Sequence, residues 1–255
     1  MRTFSLKRLT FTLPILLILL LLFIPAPVRA QGRVRAAVAA NFIQPFKEIA
    51  AAFEVRRGIH VEATFTSSGN LYSQIVHGAP YDLFLSADRE RPDRLFKDGI
   101  SGIPFVYAQG RVVLWSARRD FCVPGGNWRQ ALAGMEGRKI ALCNPEITPY
   151  GMAAREALKK TGLWLPLQDR LVIAQTVAQA FQYASTEAVA AGFCALSSAM
   201  TETGRKGCFY SVAEAPSTVQ AACVLKGKNS KAAEVFAAFL LSPEAEKIKK
   251  RYGYQ

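Results

Sequence analysis

The chain has 255 residues, of which 51% are hydrophobic, and it carries 32 Lys and Arg against 19 Asp and Glu, a formal net charge of +13. The large apolar fraction excludes an intrinsically disordered chain, and 18 Gly without a triplet period exclude a collagen-like one. The basic charge points first to a nucleic-acid partner.

The first thirty residues have the order of a secretory signal peptide. A basic start is followed by an unbroken apolar run at 15–24 and by the small-residue sequence V-R-A at 28–30. A membrane anchor, the alternative, needs ~20 apolar residues, and this run is shorter. We therefore predict a signal peptide over residues 1–30, cleaved after Ala30, and a periplasmic protein that is not inserted in the membrane after cleavage.

Cleavage changes the charge argument. Four basic residues leave with the peptide, namely Arg2, Lys7, Arg8 and Arg29, so the mature chain retains 28 minus 19, or +9. An exported protein does not normally meet chromosomal DNA. We therefore expect no nucleic-acid partner.

Strand and helix patterns alternate along the mature chain. Apolar runs or apolar–polar alternation predict strands at 34–39, 59–65, 81–85, 111–115, 139–142, 171–173, 191–196 and 219–225. Helical spacing predicts helices at 42–57, 69–77, 91–97, 128–133, 151–160, 176–184, 230–240 and 243–251. This alternation predicts an α/β protein with parallel sheets covered by helices. The length suggests one large domain or two small ones.

The cysteine count is odd, and all five cysteines lie in the mature part: Cys122, Cys143, Cys194, Cys208 and Cys223. At least one is therefore free or pairs between molecules. Cys143 and Cys194 lie in apolar runs typical of buried thiols. A bridge between Cys208 and Cys223 is one hypothesis, and the sequence leaves the pairing open.

The sequence shows no arrangement typical of an enzyme. His60 and His77 are the only histidines, and neither belongs to a nucleophile motif, so we expect both on the surface. Asp82 and Asp88 flank a predicted strand, where a structural role is usual. We therefore predict that the protein is not an enzyme, and an exported enzyme remains the alternative from another class.

Four strand-to-helix joints carry small neutral residues: A-A-N (39–41), T-S-S-G-N (66–70), N-P-E-I-T-P-Y-G (144–151) and A-Q-T-V (174–177). Ligands of open α/β sheets bind beyond the carboxyl ends of the strands, where helix N-termini present free N–H groups to anions. Ordinary helix capping explains any one joint alone. Four joints, two in each half of the chain, instead favour an anion site in a cleft between two lobes.

Several segments match one family. V-A-A-N-F (38–42), F-T-S-S-G-N-L (65–71), G-A-P-Y-D-L-F-L-S-A-D (78–88), N-P-E-I-T-P-Y-G (144–151) and K-R-Y-G-Y (250–254) give the mature chain a resemblance to the periplasmic molybdate-binding proteins of ABC importers. The resemblance implies an α/β, two-lobed type II periplasmic binding protein fold with mostly parallel sheets and the ligand cleft between the lobes. It further implies a first lobe over 31–108 plus 226–255 and a second lobe over 109–225.

The resemblance also implies the site residues. They are Asn41 with Ala40 beside it, Ser68 with Ser67 just before it, and the backbone N–H groups of Tyr150 and Val177. One branch of the family has Ser where Asn41 stands and a tyrosine where this chain has Ala195. In this chain the hydroxyl of Tyr150 is a candidate replacement for that missing tyrosine hydroxyl.

The function implied is capture of molybdate, or tungstate, for delivery to an ABC permease with its ATPase. We expect a monomer with no cofactor and no direct protein ligand to a metal, because molybdenum would arrive as its oxyanion. A receptor for sulfate, thiosulfate or phosphate is the alternative, since the same donors suit any tetrahedral oxyanion. The effector domain of a transcription regulator can share the fold, but the predicted signal peptide opposes it.

Overall fold

A computed structural model describes residues 32–227 and 229–255 of the chain. The signal peptide predicted over residues 1–30 and its cleavage after Ala30 lie outside this part. Within these two ranges no helix is both long enough and apolar enough to cross a membrane.

The first lobe starts with alternating strands and helices, and all but the last of them are predicted from the sequence. In chain order they are β1 (Arg33–Ala39), α1 (Ile43–Arg57), β2 (His60–Thr66), α2 (Ser68–Val76), β3 (Leu83–Leu85), α3 (Glu90–Lys97) and β4 (Phe105–Gly110).

The chain then passes into a second lobe with its own sheet. Its elements are β5 (Val112–Ser116), α4 (Trp128–Ala133), β6 (Ile140–Cys143), α5 (Pro149–Lys160), α6 (Trp164–Leu167), β7 (Leu171–Ala174), α7 (Val177–Ser185), β8 (Ala191–Ala195), α8 (Leu196–Ala199) and β9 (Cys208–Ser211). The chain finally returns to the first lobe with β10 (Thr218–Val224), α9 (Ser230–Leu240) and α10 (Pro243–Arg251).

Each lobe contains one five-stranded sheet, with strand orders β2-β1-β3-β10-β4 and β7-β6-β8-β5-β9. In the first sheet β1 pairs parallel with β2 and β3, while β10 pairs antiparallel with β3 and β4. The second sheet repeats this mixture, because β6 is parallel to β7 and β8 while β5 is antiparallel to β8 and β9. Both sheets are therefore mixed but mostly parallel, as expected, because only β10 in the first and β5 in the second run against the other four strands.

The chain crosses between the lobes at two connections, and these set the lobe boundary. Only Arg111 separates β4 from β5, and residues 212–217 join β9 to β10. The sequence-based boundary assigned 109–225 to the second lobe, but β10 pairs with β3 and β4 of the first sheet. The boundary at 225 is thus too late. The error arises because an apolar strand pattern indicates a buried strand without indicating which sheet it joins.

Strands β4 and β9 were not predicted from the sequence. The first contains Gln109 and Gly110, and the second is a four-residue strand whose side chains are only partly buried. Their apolar runs, at 105–108 and 208–210, are short, so pairing with neighbouring strands, rather than local pattern, makes them strands.

Helix α1 shows how the apolar spacing builds the first core. Phe46, Ile49 and Phe53 recur at helical intervals and are all buried. The rings of Phe46 and Phe53 lie 5.6 and 4.9 Å from that of Phe236, so α9 packs back on α1. The helix ends at Gly58, whose φ of 62° is the left-handed conformation that glycine adopts without a steric penalty. Local sequence and packing therefore agree at this helix.

The disulfide differs from the pairing considered from the sequence. Cys122 is bonded to Cys208, with the two Cα atoms 6.1 Å apart, and Cys143, Cys194 and Cys223 are free and buried. The hypothesis of a Cys208–Cys223 bridge is wrong, because Cys223 lies inside β10 of the first sheet while Cys208 begins β9 of the second. The observed bridge joins two parts of one lobe.

Removing this bridge should destabilise the protein without touching the cleft. The bridge spans 86 residues, and cross-links of this length contribute about 2–4 kcal/mol. We expect the double variant Cys122→Ser/Cys208→Ser to lose about that much free energy of unfolding in urea. Cys223→Ser is the control for loss of a thiol alone, and equal stability of the double variant and the parent chain would contradict the prediction.

Candidate functional site

A small buried cavity lies between the lobes, at the ends of strands from both sheets. It is lined by Ala39, Ala40, Asn41, Ser67, Ser68, Ala87, Thr148, Pro149, Tyr150 and Val177, and we call it the interlobe cavity. Traced by the centre of a water-sized sphere, its volume is about 10 Å³. By this measure the space is about the minimum that one water molecule needs, which excludes an extended organic molecule. The structure thus brings all six predicted site residues to one place: Ala40, Asn41, Ser67, Ser68, Tyr150 and Val177.

The lining of the interlobe cavity is neutral. No Lys, Arg, Asp or Glu lies among the described residues that line it. Any ion held there would be held by backbone N–H groups, hydroxyls and an amide. Such groups solvate an anion by hydrogen bonds to charge, which contribute about 1.5–3 kcal/mol each.

Three helices begin at the interlobe cavity: α2 from the first lobe, and α5 and α7 from the second. Each has a hydroxyl cap, from Ser67, Thr148 and Thr176, which accepts from the N–H three residues further on at 3.2, 3.2 and 3.0 Å. Ordinary helix capping, the alternative to an anion site, is therefore present at these three helices. It occupies one N–H of each helix and leaves the earlier ones without an intrahelical partner.

The residues that follow the caps decide which N–H groups face the interlobe cavity. In α5 the first position is Pro149, which has no N–H, so Tyr150 supplies the first backbone donor. In α7 that donor is Val177, directly after the cap. Both residues are buried and line the cavity. Their backbone N–H groups, with the positive ends of the two helix dipoles, favour an anion at this position.

The two serines are arranged so that their hydroxyl protons remain available. Ser68 Oγ accepts a hydrogen bond from the backbone N–H of Ala87 at 2.9 Å. Ser67 Oγ accepts from the N–H of Asn70 at 3.2 Å. A hydroxyl that already accepts from the protein still has its own proton to donate. Both serines can therefore act as donors toward an acceptor-only ligand.

Asn41 connects the interlobe cavity to a buried polar network behind it. Its side chain is 4% exposed, and Nδ2 donates to Gln220 Oε1 at 2.8 Å and to the hydroxyl of Tyr254 at 2.9 Å. Its Oδ1 is a buried side-chain atom without a hydrogen-bond partner among the described residues. A buried polar atom in this condition costs about 1–3 kcal/mol. The site therefore contains one unsatisfied polar end.

The hydroxyl of Tyr150 takes part in the same network. It accepts from Gln220 Nε2 at 3.0 Å, and a Cβ placed on Gly110 would lie 2.0 Å from it. The hydroxyl is thus packed against strand β4 where the chain crosses between the lobes. Burial raises the pKa of Tyr150 well above its ordinary value, so the hydroxyl stays protonated. Because the hydroxyl accepts the bond from Gln220, its own proton is still available, and its role as a replacement for a tyrosine missing at Ala195 stays a prediction.

Three polar residues of this network were not predicted from the sequence: Ser197, Gln220 and Tyr254. Gln220 is fully buried in a strand whose other buried residues, apart from Thr218, are apolar. The amide of Gln220 within an apolar run could have indicated a buried hydrogen-bond network, because buried polar groups need partners. Tyr254 lies in the quoted K-R-Y-G-Y segment, but only the fold brings the end of the chain to Asn41.

Direct contacts join the lobes around the interlobe cavity. Gly69 N–H donates to the carbonyl oxygen of Ile147 at 3.0 Å, and Ser197 Oγ donates to the carbonyl oxygen of Asn41 at 2.8 Å. A Cβ added at Gly69 would lie 3.0 Å from Ile147. The two lobes therefore meet backbone to backbone at the rim, in a closed arrangement.

The groups considered for catalysis have structural surroundings. His60 and His77 are exposed, and buried Asp82 accepts from the backbone N–H of Arg35 at 2.8 Å. Burial raises the pKa of Cys143 and of Cys223 to about 12, which keeps both thiols protonated and poorly nucleophilic.

A second concavity of about 410 Å³ adjoins the interlobe cavity and shares Ala40 and Asn41 with it. It opens to solvent between the start of α1 and helices α7 and α8, and its lining includes Glu202. The acidic side chain and the larger volume suit an anion of a few atoms less well than the interlobe cavity does.

Known proteins resemble the chain in both sequence and fold. The family model described as bacterial extracellular solute-binding protein matches residues 34–255. The chain belongs to this family. It is 37% identical to "Molybdate-binding protein ModA" of Rhodobacter capsulatus over 88% of this chain and 89% of that protein, and also 37% identical to the ModA of Azotobacter vinelandii over 88% and 90%.

A solved structure of a relative has the same fold as this chain. The "Azotobacter vinelandii periplasmic molybdate-binding protein" superimposes with a TM-score of 0.81 at 35% identity, covering 87% of this chain and 98% of that one. The expected two-lobed binding-protein fold is confirmed.

Proposed function

We propose that this chain is the periplasmic receptor of an ABC importer and that it captures molybdate, or tungstate, in the interlobe cavity. The observation that carries the proposal is the lining of the interlobe cavity, which consists of small, neutral residues with N–H and O–H donors from both lobes. The ligands named for the relatives agree with this chemistry. Delivery to a permease with its ATPase follows from the class of receptor, and we propose a monomer without a cofactor.

The six predicted residues have distinct roles in this proposal. Asn41 and the two hydroxyls of Ser67 and Ser68 bind the ion from the first lobe, with the turn that starts at Ala40 placing the amide. The backbone N–H groups of Tyr150 and Val177 bind it from the second lobe. Since donors come from both sides, the ion stabilises the closed arrangement of the lobes.

Neutral donors also suit release. A buried Lys or Arg would hold a dianion by a fixed ion pair, whereas N–H and O–H groups on opposite lobes separate as soon as the lobes open. Selectivity among tetrahedral dianions then depends on the size of the closed cavity rather than on charge. Molybdate and tungstate have longer bonds to oxygen than sulfate does, so they fill a cavity that sulfate leaves loose.

Thermal unfolding with different oxyanions tests the proposal. A ligand present at 1,000 times its Kd stabilises the folded state by about 4 kcal/mol, which raises Tm by roughly 8–16 °C for a chain of this size. We expect molybdate and tungstate to give shifts of this order, and sulfate, thiosulfate and phosphate at equal concentration to give little. No shift with molybdate, or an equal shift with sulfate, would contradict the proposed ligand.

One observation favours phosphate as a second candidate. Asn41 Oδ1 is a buried acceptor without a partner among the described residues, and phosphate near neutral pH carries a proton that needs an acceptor. Molybdate carries no such proton at that pH. A larger Tm shift with phosphate than with molybdate would select this candidate.

Replacing Ser68 by Ala should weaken molybdate binding without unfolding the protein. The change removes one hydroxyl donor to a charged ligand, which corresponds to a roughly tenfold increase in Kd. Titration calorimetry measures the effect, and Ser73→Ala on the exposed face of the same helix α2 is the matched control. An unchanged Kd would remove Ser68 from the ligand shell.

A further inference from the structure

Gln220 occupies the centre of the polar network behind the interlobe cavity. It is fully buried on β10, directly before the shift in register between β10 and β4. Its Oε1 accepts from Asn41 Nδ2 at 2.8 Å and from the hydroxyl of Tyr107 at 3.0 Å. Its Nε2 donates to the hydroxyl of Tyr150 at 3.0 Å. One amide therefore joins Asn41 of the first lobe to Tyr150 of the second.

This arrangement leaves Asn41 without a free amide donor for an oxyanion. Because Nδ2 donates to Gln220 and Tyr254, the donor end faces the network. Oδ1, on the other side of the amide, has no hydrogen-bond partner within the described residues. Molybdate and tungstate accept hydrogen bonds only, so a carbonyl oxygen would repel them. Asn41 can bind such a ligand only after its amide has turned.

A half turn of the Asn41 amide requires a half turn of Gln220. If Asn41 alone turned, its Oδ1 would face Gln220 Oε1, and two acceptors would oppose each other. When both turn, Gln220 Nε2 donates to Asn41 Oδ1 and to the hydroxyl of Tyr107. The two ends of an amide are similar in size, so the exchange needs no other side chain to move.

Every hydrogen-bonding group keeps a partner after the double turn. The hydroxyl of Tyr254, which then faces Asn41 Oδ1, turns its proton from the carbonyl oxygen of Asn41 to Oδ1, while Ser197 Oγ still donates to that carbonyl oxygen. Tyr107 can pass its own proton to the carbonyl oxygen of Ser86, which already lies 3.2 Å away. Tyr150 donates to Gln220 Oε1 where it accepted before. Asn41 Oδ1 gains the partner it lacks, and Asn41 Nδ2 is free to donate to a ligand oxygen.

We propose that Gln220 is a positioning residue of the site, and that its amide turns together with that of Asn41 to present a donor to the bound oxyanion. The inference rests on the proposed function, since it concerns how this chain accepts an oxyanion. Gln220, which lies outside the interlobe cavity, thereby determines whether Asn41 presents a donor or an acceptor to a ligand inside it. The same turn reverses the hydrogen bond that joins the lobes at Tyr150.

The test is Gln220→Glu, with molybdate affinity measured by titration calorimetry from pH 5.5 to pH 9. A neutral carboxyl has one donor and one acceptor and can copy the turned amide. An ionised carboxylate accepts only, so it holds Asn41 Nδ2 away from the ligand and places a charge near a dianion. We expect affinity within about threefold of the parent chain at the acid end and at least tenfold weaker at the alkaline end.

The neighbours of Gln220 do not produce such a pH dependence by themselves. Three tyrosine hydroxyls face it, from Tyr107, Tyr150 and Tyr254, and burial raises the pKa of each, so all remain neutral over this range. The Lys249 ammonium donates to the carbonyl oxygen of Tyr107 at 2.6 Å. The Asp88 carboxylate acts electrostatically on the hydroxyl of Tyr107 and raises its pKa further. The parent chain should therefore show a flat profile.

Gln109→Glu is the matched control. Gln109 lies on the adjacent strand β4 opposite Val219 rather than Gln220, and its Nε2 donates to Ser217 Oγ at 2.6 Å at the surface. The same change of charge there should leave Kd equal to that of the parent chain at each pH. An alkaline loss of equal size in both variants would overturn the assignment, because it would be a general effect of charge.

A second variant keeps the proposal testable if Gln220→Glu does not fold. Tyr107→Phe leaves the interlobe cavity intact but removes the acceptor for Gln220 Nε2 in the turned state, so Kd should rise about fivefold, as for one neutral hydrogen bond. An unchanged Kd in Tyr107→Phe, or a Gln220→Glu variant that matches the parent chain at pH 9, would overturn the inference. Failure of the parent chain to bind molybdate would instead overturn the proposed function.

Discussion

Replacing Asn41 by Asp should abolish molybdate binding near neutral pH. The change puts a carboxylate in the interlobe cavity, where the donors are neutral and no cation lines the wall among the described residues. Two unit charges 4 Å apart at a partly buried site repel by about 4 kcal/mol, and the ligand carries two. We therefore expect Kd to rise at least about 1000-fold, as measured by titration calorimetry. The loss should be smaller at low pH, where the introduced carboxyl is neutral.

The control for this variant is Asn127→Asp. Asn127 caps α4 in the second lobe and accepts from the backbone N–H groups of Arg129 and Gln130, both at 3.1 Å. Asp caps helices as well as Asn does, so the control should fold and bind like the parent chain. If Asn41→Asp kept micromolar binding while its ligand-free Tm matched that of the control, Asn41 would not contact the ion.

The variant Gly69→Val should prevent closure of the lobes. Gly69 approaches Ile147 so closely that even a single Cβ would lie 3.0 Å from three of its atoms, and valine adds two further methyl groups. Because this contact joins two lobes, opening of the cleft relieves the clash more easily than unfolding does. We expect at least about a tenfold loss of molybdate affinity, mostly as a faster dissociation rate, as measured by stopped-flow fluorescence.

Gly134→Val separates closure from a general effect of valine. Gly134 ends α4 with a φ of −69°, which any residue adopts, and a Cβ there would have its nearest neighbours at 3.7 Å. This variant should bind as the parent chain does. Wild-type dissociation kinetics in Gly69→Val would show that the Gly69–Ile147 contact is not part of the ligand-bound state.

The variants Asn41→Asp and Gly69→Val test two requirements for binding, the donors in the cavity and the closure of the lobes. The interlobe cavity has neutral donors on each lobe, so affinity depends on bringing the lobes together rather than on any single charge. Asn41→Asp changes the sign of the potential inside the cavity, whereas Gly69→Val leaves the donors in place and separates them. If closure and donor chemistry act together, the two losses will not add in the double variant.

Much of the local structure could be predicted from the sequence, because it depends on short-range physics. Helix α10 begins where Ser242 and Pro243 indicate it, with Ser242 Oγ accepting from the N–H of Ala245 at 3.2 Å. The apolar spacing of α1 identified the face that packs on Phe236. The joints before α2, α5 and α7 were recognised from their small polar residues, and the structure brings them to one cavity.

Pairing and long-range contacts could not be predicted in the same way. The apolar pattern of β10 is equally compatible with either sheet, and only the fold assigns it to the first. The bridge from Cys122 to Cys208 depends on the segment around Cys122 meeting the start of the edge strand β9 in the second lobe. Strand β9 has too little local signal to be recognised before its partner β5 is in place.

The candidate site shows the same division. The sequence by itself determined which residue types stand at the strand ends, and with them a neutral, donor-rich site for a small anion, because helix N-termini attract negative charge wherever they occur. Only the tertiary structure decided that Gln220 and Tyr254, 179 and 213 residues after Asn41, lie against its amide. Hydrogen bonds act over about 3 Å in space regardless of distance along the chain, so the orientation of that amide is a property of the fold.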